Sequence, residues 1–258
     1  MFNAVKAKND CVQWIRDWFE ENGKGCNAII GISGGKDSSV VAALCVEALG
    51  SDRVVGVLMP DGEQADINDS IYLVNYINIH AIVADISYAV CGVQSAIREQ
   101  LELVFDKNIS HQSMINLPPR IRMTTLYAIS QSLNGRVVGT DNASEVYIGY
   151  STRWGDNVAD LMPLLNFTSD EVVAIGDALG LPYELTHKVP SDGLCGKTDE
   201  DNFGFTYGVL NKYIRTGVCE DAGVKAKIDQ LHERNLFKLR PIPSFVPIGV
   251  RGETYGSL

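Results

Sequence analysis

The sequence predicts an α/β fold: a doubly wound, mainly parallel sheet flanked by helices. Two observations carry the prediction. Short, continuously apolar runs such as Cys26–Ile32 (CNAIIGI) alternate with helical patterns, as expected of parallel strands covered on both faces. The first of these runs leads directly through a glycine-rich turn, Ser33–Lys36, into a helical pattern. That is the strand–loop–helix unit from which open nucleotide-binding sheets are wound.

The elements follow in order. Val5, Val12, Ile15 and Phe19 recur at helical spacing and predict an amphipathic N-terminal helix. Strands are expected at Cys26–Ile32, Arg53–Met59, Ile79–Ala84 and Arg136–Gly139. Helices are expected at Asp37–Leu49, Ile67–Ile77 and Thr168–Leu179, with Gly50 closing the first of them. A long helical stretch covers Ser87–Leu133, interrupted near Asn116–Pro119, where Pro118 and Pro119 suit the opening turn of a new helix. Right-handed crossovers join these units into one sheet. His187–Phe205 is rich in Gly, Asp, Ser and Pro and long for a connection, so it reads as a lid.

Bulk properties narrow the function. The 258 residues are 45% hydrophobic and 21% charged, an ordinary globular composition, and are read as a single domain, 1–258. No apolar stretch is long enough for a membrane span, and the N-terminus lacks a signal-peptide core. The net charge of −10 argues against a nucleic-acid-binding surface. Six scattered cysteines without a C-x-x-C pair point to a reducing, cytoplasmic setting, with Cys26 and Cys45 as small core residues. His80, His111, His187 and His232 have neither metal-ligand spacing nor a paired nucleophile.

The turn itself, Gly31–Ser39 (GISGGKDSS), carries the chemistry. Two glycines let successive amides face one concavity, and the helix start adds unpaired amides and a positive dipole end. Together they bind an anion, with Ser33, Ser38 and Ser39 as further donors. The Walker loop fails, because Ile30 and Asp37 stand where it needs Gly and Ser or Thr. The dinucleotide fingerprint fails on the spacing of Gly31, Gly34 and Gly35. The ordinary alternative is a strand–helix turn in which Ser33 or Asp37 merely caps.

Ser33–Ser38 (SGGKDS) resembles the SGG-x-DS loop of the N-type ATP pyrophosphatases, which have the adenine nucleotide alpha hydrolase-like fold. Four further segments resemble one branch of that group, the NAD synthetases, in family order. They are Asn116–Arg122 (NLPPRIR), Thr140–Glu145 (TDNASE), Ser151–Asp160 (STRWGDNVAD) and Val189–Leu194 (VPSDGL). Phe237-Lys238 with Pro241 and Pro243 resembles a basic motif near the family's C-terminus.

The resemblance implies that Gly31, Ile32, Ser33, Gly34, Gly35, Lys36, Asp37 and Ser38, with Thr140 and Ser191, bind ATP. It implies that Asp37 and Glu145 hold Mg²⁺ and that Arg120, Arg153, Asp160 and Lys238 contact deamido-NAD. A homodimer built on helices around Ser87–Leu133 is implied as well. Glu145 has a bland alternative, because it lies three residues after Asn142, at capping-box spacing. Arg120 and Arg122 have one too, as solvated arginines at a helix start. The sequence departs from the pattern at Arg153 and Ser191, which replace lysine and threonine, and at Phe237, which replaces histidine. A family lysine that touches ATP falls near Ser169, so Lys36 is the expected substitute and joins Asp37 and Glu145 among the catalytic residues.

The implied activity is ATP-dependent amidation through an adenylated carboxylate. The nitrogen donor is expected to be free ammonia, since no cysteine sits in a nucleophile elbow and the stretch before the loop is too short for a glutaminase domain. The alternatives are a tRNA- or nucleotide-modifying ATP pyrophosphatase and a nucleotide-binding protein without catalysis.

Overall fold

The computed structural model describes residues 2–64, 67–188, 199–243 and 245. Among them, four parallel strands form a sheet in the order β3-β2-β1-β4. These are β1 Asn27–Gly31, β2 Val54–Leu58, β3 His80–Val83 and β4 Gly135–Val137. Ile30 lies opposite Gly56, and Ile29 opposite Val137. Each predicted strand is present; the first three are one residue shorter at each end, and the fourth starts one residue earlier and ends two earlier than expected, the usual latitude of such boundaries. Beyond β4, an isolated parallel bridge joins Val138 to Leu161.

Successive side chains of β1 face opposite ways, so one strand feeds two cores. Ala28 and Ile30 join the core made with α1 Ala4–Asn22 and α2 Lys36–Leu49, through Ile15, Phe19, Val41 and Leu44. Val5, expected in the stripe of α1, lies 60% exposed and outside this core. Ile29 instead meets Met123 and Leu126 on the other face.

After β2 come α3 Ile67–Tyr76, then β3, then α4 Ser87–Phe105 and α5 His111–Ser132. The expected interruption is displaced. The long helical stretch breaks at 106–110, where Asp106 takes a left-handed φ of 51° and Ser110 accepts from the amide of Ser113 to start α5. Pro118 and Pro119 lie inside α5, well past its opening turn. The helix there carries the 151–156 turn: Gly155 packs on Pro119, and Thr152 Oγ1 donates to Asn116 Oδ1 at 3.0 Å.

The C-terminal half adds α6 Ala143–Ile148, α7 Ser169–Ala178, α8 Tyr183–Thr186, α9 Asp199–Phe203, α10 Tyr207–Thr216 and α11 Ala222–Leu239. Val172 and Ile175 of α7 bury against α1 and α2. A third core, with Ile148, Phe203, Phe205, Leu210 and Ile228, ties α6, α10 and α11 together. Gly149 ends α6 at φ 66°, and a Cβ there would overlap Asn235, whose amide donates to Ile148 O at 3.0 Å. The α11 backbone is thereby seated on the end of α6. The predicted lid, His187–Phe205, falls largely outside the described residues, and Phe203 and Phe205 belong to this third core.

Candidate active site

The glycine loop leaves β1 at the edge where strand order reverses: β2 lies on one side of β1 and β4 on the other. The segments that leave the carboxyl ends of β1 and β4 meet at this point, the end of the sheet at which ligands of wound folds bind. Gly34 has φ 79°, and a Cβ there would sit 3.0–3.1 Å from Asp69 and Ser70. Only glycine permits both the conformation and this approach of the α3 start. Ser70 is fully buried and donates to Ile32 O at 3.2 Å, so α3 clamps the loop from behind.

Inside the loop, Ser33 Oγ and Ser38 Oγ are 3.1 Å apart, and Ser33 Oγ accepts from the Gly35 amide at 3.2 Å. This is a bond within the turn; neither Ser33 nor Asp37 caps α2, whose N-cap is Gly35 without a side-chain bond. Ser38 and Ser39 hydroxyls both donate to Gly35 O. Ser39 is fully buried, so the expectation that it donates to an anion is corrected: its hydroxyl is spent on the helix start. The α2 helix begins at Lys36, one residue earlier than expected, with Gly35 as its extended N-cap.

Across the crevice, the segment after β4 supplies the carboxylates. Asn142 is fully buried; its Oδ1 accepts from the amides of Ser144 and Glu145, and its own amide donates to Glu145 Oε2. This is a complete capping box. The same Asn142 donates through Nδ2 to Asp37 Oδ1 at 3.0 Å. One side chain thus fixes the α6 start and joins Glu145 to the glycine loop.

Asp141 is buried, and among the described residues no donor reaches its Oδ2. Burial, followed by the charges of Asp156, Glu145 and Asp37, holds its carboxyl well above the usual range. Asp156, left unassigned on sequence grounds, accepts from the Thr152 amide at 2.6 Å and faces the same cluster. Lys36 is also buried; its Nζ lies 2.8 Å from Asp37 Oδ2 and 5.8 Å from the Tyr207 ring centre.

The residues expected to hold the second substrate meet on the α5 side. Arg120 Nε donates to Arg153 O at 3.2 Å, and the Arg153 guanidinium stacks over Trp154 and Phe237. Arg122 is not a solvated arginine; it donates to Met59 O at the end of β2. Asp160 accepts from the Val137 amide at 2.7 Å and from Tyr127 Oη at 3.3 Å. Lys238 donates to Gly149 O and Ser151 O, at 2.7 and 2.8 Å, and so pins the turn that carries Arg153. Thr140 is half-buried between β4 and Asp141. Ser191 lies outside the described residues. Ser169 is buried in a network with Ser144 and Asn211, as a small residue between α6, α7 and α10.

Two cavities stand out among the described residues. One of about 600 Å³ lies past β2, beside Pro60, Glu63, Gln64 and Ile67. The other, about 370 Å³, is lined by Gln112, Asn116, Tyr150, Arg234 and Lys238. Among the described residues, no three His, Cys, Asp or Glu side chains are grouped to cage a metal. Asp37, Glu145 and the orphaned oxygen of Asp141 fit the other mode of binding, in which one or two carboxylates share a hard divalent cation with phosphate oxygens.

The fold and the loop at its switch point define an α/β nucleotide-binding enzyme of the adenine nucleotide alpha hydrolase-like class. The model of the NAD synthase family matches residues 7–242, and the chain belongs to that family. It is 36% identical to the NH3-dependent NAD synthetase of Pyrococcus furiosus over 82% of this chain and 78% of that one. It is 38% identical to that of Alkaliphilus metalliredigens over 93% and 98%. Among solved structures, NMN synthetase from Francisella tularensis superposes with a TM-score of 0.85, at 30% identity over 96% of this chain and all of that one. NH3-dependent NAD synthetase from Campylobacter jejuni gives 0.74, at 26% identity over the same shares.

Proposed function

We propose that this chain amidates the nicotinate carboxylate of deamido-NAD with free ammonia, splitting ATP to AMP and pyrophosphate. The observation that carries the reading is the Asp37–Asn142–Glu145 bridge, which puts two carboxylates beside an anion-binding loop. The glycine turn Ser33–Lys36 at the start of α2 receives the triphosphate, and the family resemblance adds contacts from Ser38, Thr140 and Ser191. The cleft beside Pro60 and Ile67 takes the nucleoside end. Mg²⁺, held by Asp37 and Glu145 with phosphate oxygens, supplies charge neutralisation for the departing pyrophosphate.

On the other side, Arg120 and Arg153 draw in the substrate's phosphates, and Asp160 has lone pairs to share with a ribose hydroxyl. Lys238 sets the position of Arg153 through the turn at Ser151. Held this way, a carboxylate oxygen attacks the α-phosphorus as the bond to pyrophosphate breaks. Ammonia then attacks the acyl carbon, and AMP leaves as a stable anion. Alignment of the reactants contributes up to roughly 7–11 kcal/mol of the acceleration.

The chain acts as a single synthetase unit over 1–258, in the cytoplasm. Among the described residues no helix is long and apolar enough to cross a membrane. It pairs with a second copy through α4, where only Val90 is buried while Leu103, Val104 and Phe105 are exposed. A light-scattering mass equal to one chain at every concentration would remove the dimer. The activity is tested by incubating the protein with ATP, Mg²⁺, ammonium and deamido-NAD. NAD and AMP in equal amounts are expected; AMP without NAD contradicts the reading.

The superposition on an NMN synthetase favours a second reading, in which the carboxylate belongs to nicotinate mononucleotide. Both share the same adenylation chemistry. Parallel assays with the two acceptors separate them by kcat/KM.

A further inference from the structure

We propose that Phe237 and Trp154 are positioning residues for Arg153, their rings holding its guanidinium ready for the anionic part of the acceptor substrate. The inference rests on the reading of Arg153 as an acceptor contact. Its physical basis is the way this guanidinium is held. The Arg153 Cζ atom lies 4.9 Å from the Trp154 ring centre and 5.4 Å from that of Phe237, within the range of a cation–π contact. Among the described residues, no carboxylate pairs with Arg153 and no acceptor takes its side-chain N–H groups; its carbonyl alone is engaged, by Arg120. Other arginines of the fold spend their donors: Arg53 on Cys26 O, Arg122 on Met59 O, Arg136 on Asn22 O and Arg215 on Glu171. An arginine carries five donors in one plane. Ring faces steady that plane without using a donor or neutralising the charge, so Arg153 keeps both for a ligand.

Core packing does not explain either ring, since Trp154 is 49% and Phe237 53% exposed. Trp154 takes a left-handed φ of 64°, uncommon for an aromatic residue. The turn around it imposes this conformation. The Trp154 amide donates to Asn157 Oδ1 at 2.9 Å, the Gly155 amide to Thr152 O at 2.9 Å, and the Thr152 amide to Asp156 Oδ1 at 2.6 Å. Uncommon backbone angles persist where surrounding bonds over-determine them, and such places cluster at ligand sites. Phe237 arrives from α11, next to Lys238, which donates to Gly149 O and Ser151 O. Consecutive residues of α11 thus hold the backbone of the turn and the side chain that the turn presents. A long side chain fixed beforehand loses less freedom when its ligand arrives. That is the contribution the two rings make to binding.

The test is steady-state kinetics of the full chain with deamido-NAD, ATP, Mg²⁺ and ammonium. Phe237→Leu keeps apolar bulk and removes the ring face. It is expected to raise KM for deamido-NAD about fivefold, the scale of one cation–π contact, with KM for ATP and kcat unchanged. Phe237→Tyr retains the face and is expected to keep the parent values. In an Arg153→Ala background, Phe237→Leu is expected to add nothing, because the ring acts through the arginine. An unchanged KM in Phe237→Leu, or the same rise with and without Arg153, overturns the proposal. A second measurement does not depend on turnover. The Arg153 Nε–Hε resonance, assigned by its absence from Arg153→Lys, is expected to shift in Phe237→Leu as the ring current is lost. An unmoved resonance also overturns the proposal. If no NAD forms at all, the synthetase reading fails, and the resonance alone decides whether the rings hold the guanidinium.

Discussion

At the scale of single residues, Glu145 holds two jobs that ordinary mutagenesis would confuse. Its carboxylate closes the capping box on Asn142 and stands with Asp37 at the proposed metal site. Glutamine satisfies a capping box as well as glutamate does. Glu145→Gln is therefore expected to leave the denaturation midpoint nearly unchanged while lowering kcat by about a hundredfold or more, roughly 2.7 kcal/mol of barrier. Parallel loss of stability and activity would mean that the cap is its whole role. Asn142→Ala removes both the cap and the link to Asp37. It is expected to cost about 1–2 kcal/mol of stability in urea unfolding, with activity falling at the same time. The family resemblance names Asp37 and Glu145 together, and Asn142 joins them in the structure; the spacing of Glu145 from Asn142 announces only the capping box, which is present. The link from Asn142 to Asp37 and that from Ser70 to Ile32 are not legible, because these partners lie far along the chain and meet only in the folded state. Ser39 was misread for a related reason: a hydroxyl in a phosphate loop looks available until Gly35 O is seen accepting from it.

At the scale of elements, apolar periodicity located every strand of the sheet and the cores of α1, α2, α3 and α7. The break between α4 and α5 was placed wrongly because Pro118 and Pro119 are strong local signals. The real break rests on Asp106 in a left-handed conformation, which many sequences permit and few announce. Two predictions belong here. Gly149→Ala sets a Cβ against Asn235 at a left-handed residue. It should unseat α11 and lower the melting temperature, and Lys238 should lose its hold on the turn before Arg153, raising KM for the dinucleotide. An unchanged KM would show that α11 does not position the substrate turn.

The second concerns α7, whose Glu171 accepts from Arg215 Nε at 2.9 Å and from the Thr168 amide. Burial raises the Glu171 carboxyl, but the Arg215 bonds and the Thr168 amide outweigh it and hold the group below its ordinary value. A depressed folded-state value gives stability that is present above the unfolded value, near 4.5, and lost as pH falls through the folded one. Arg215→Met is accordingly expected to unfold at higher pH than the parent in acid titration monitored by circular dichroism. Coincident acid transitions would contradict this.

For the whole molecule, the fold places the loop after β1 and the carboxylates after β4 on the two lips of one crevice. The sheet order does this; neither segment alone could. The same wound arrangement leaves α4 and the β3 edge outside the core, with Leu103 79% and Phe105 65% exposed. Exposed apolar faces of this kind mark association surfaces. Phe105→Asp is expected to abolish the proposed pairing through α4 in sedimentation velocity, and an unchanged sedimentation coefficient would contradict that pairing.

The central claim is that the acceptor carboxylate is adenylated before nitrogen arrives. Deamido-NAD labelled with ¹⁸O in its nicotinate carboxylate tests it directly, with mass spectrometry of the released AMP. One ¹⁸O atom is expected in the AMP phosphoryl group, since the carboxylate oxygen that attacks phosphorus departs with it. Unlabelled AMP formed alongside NAD would contradict the account.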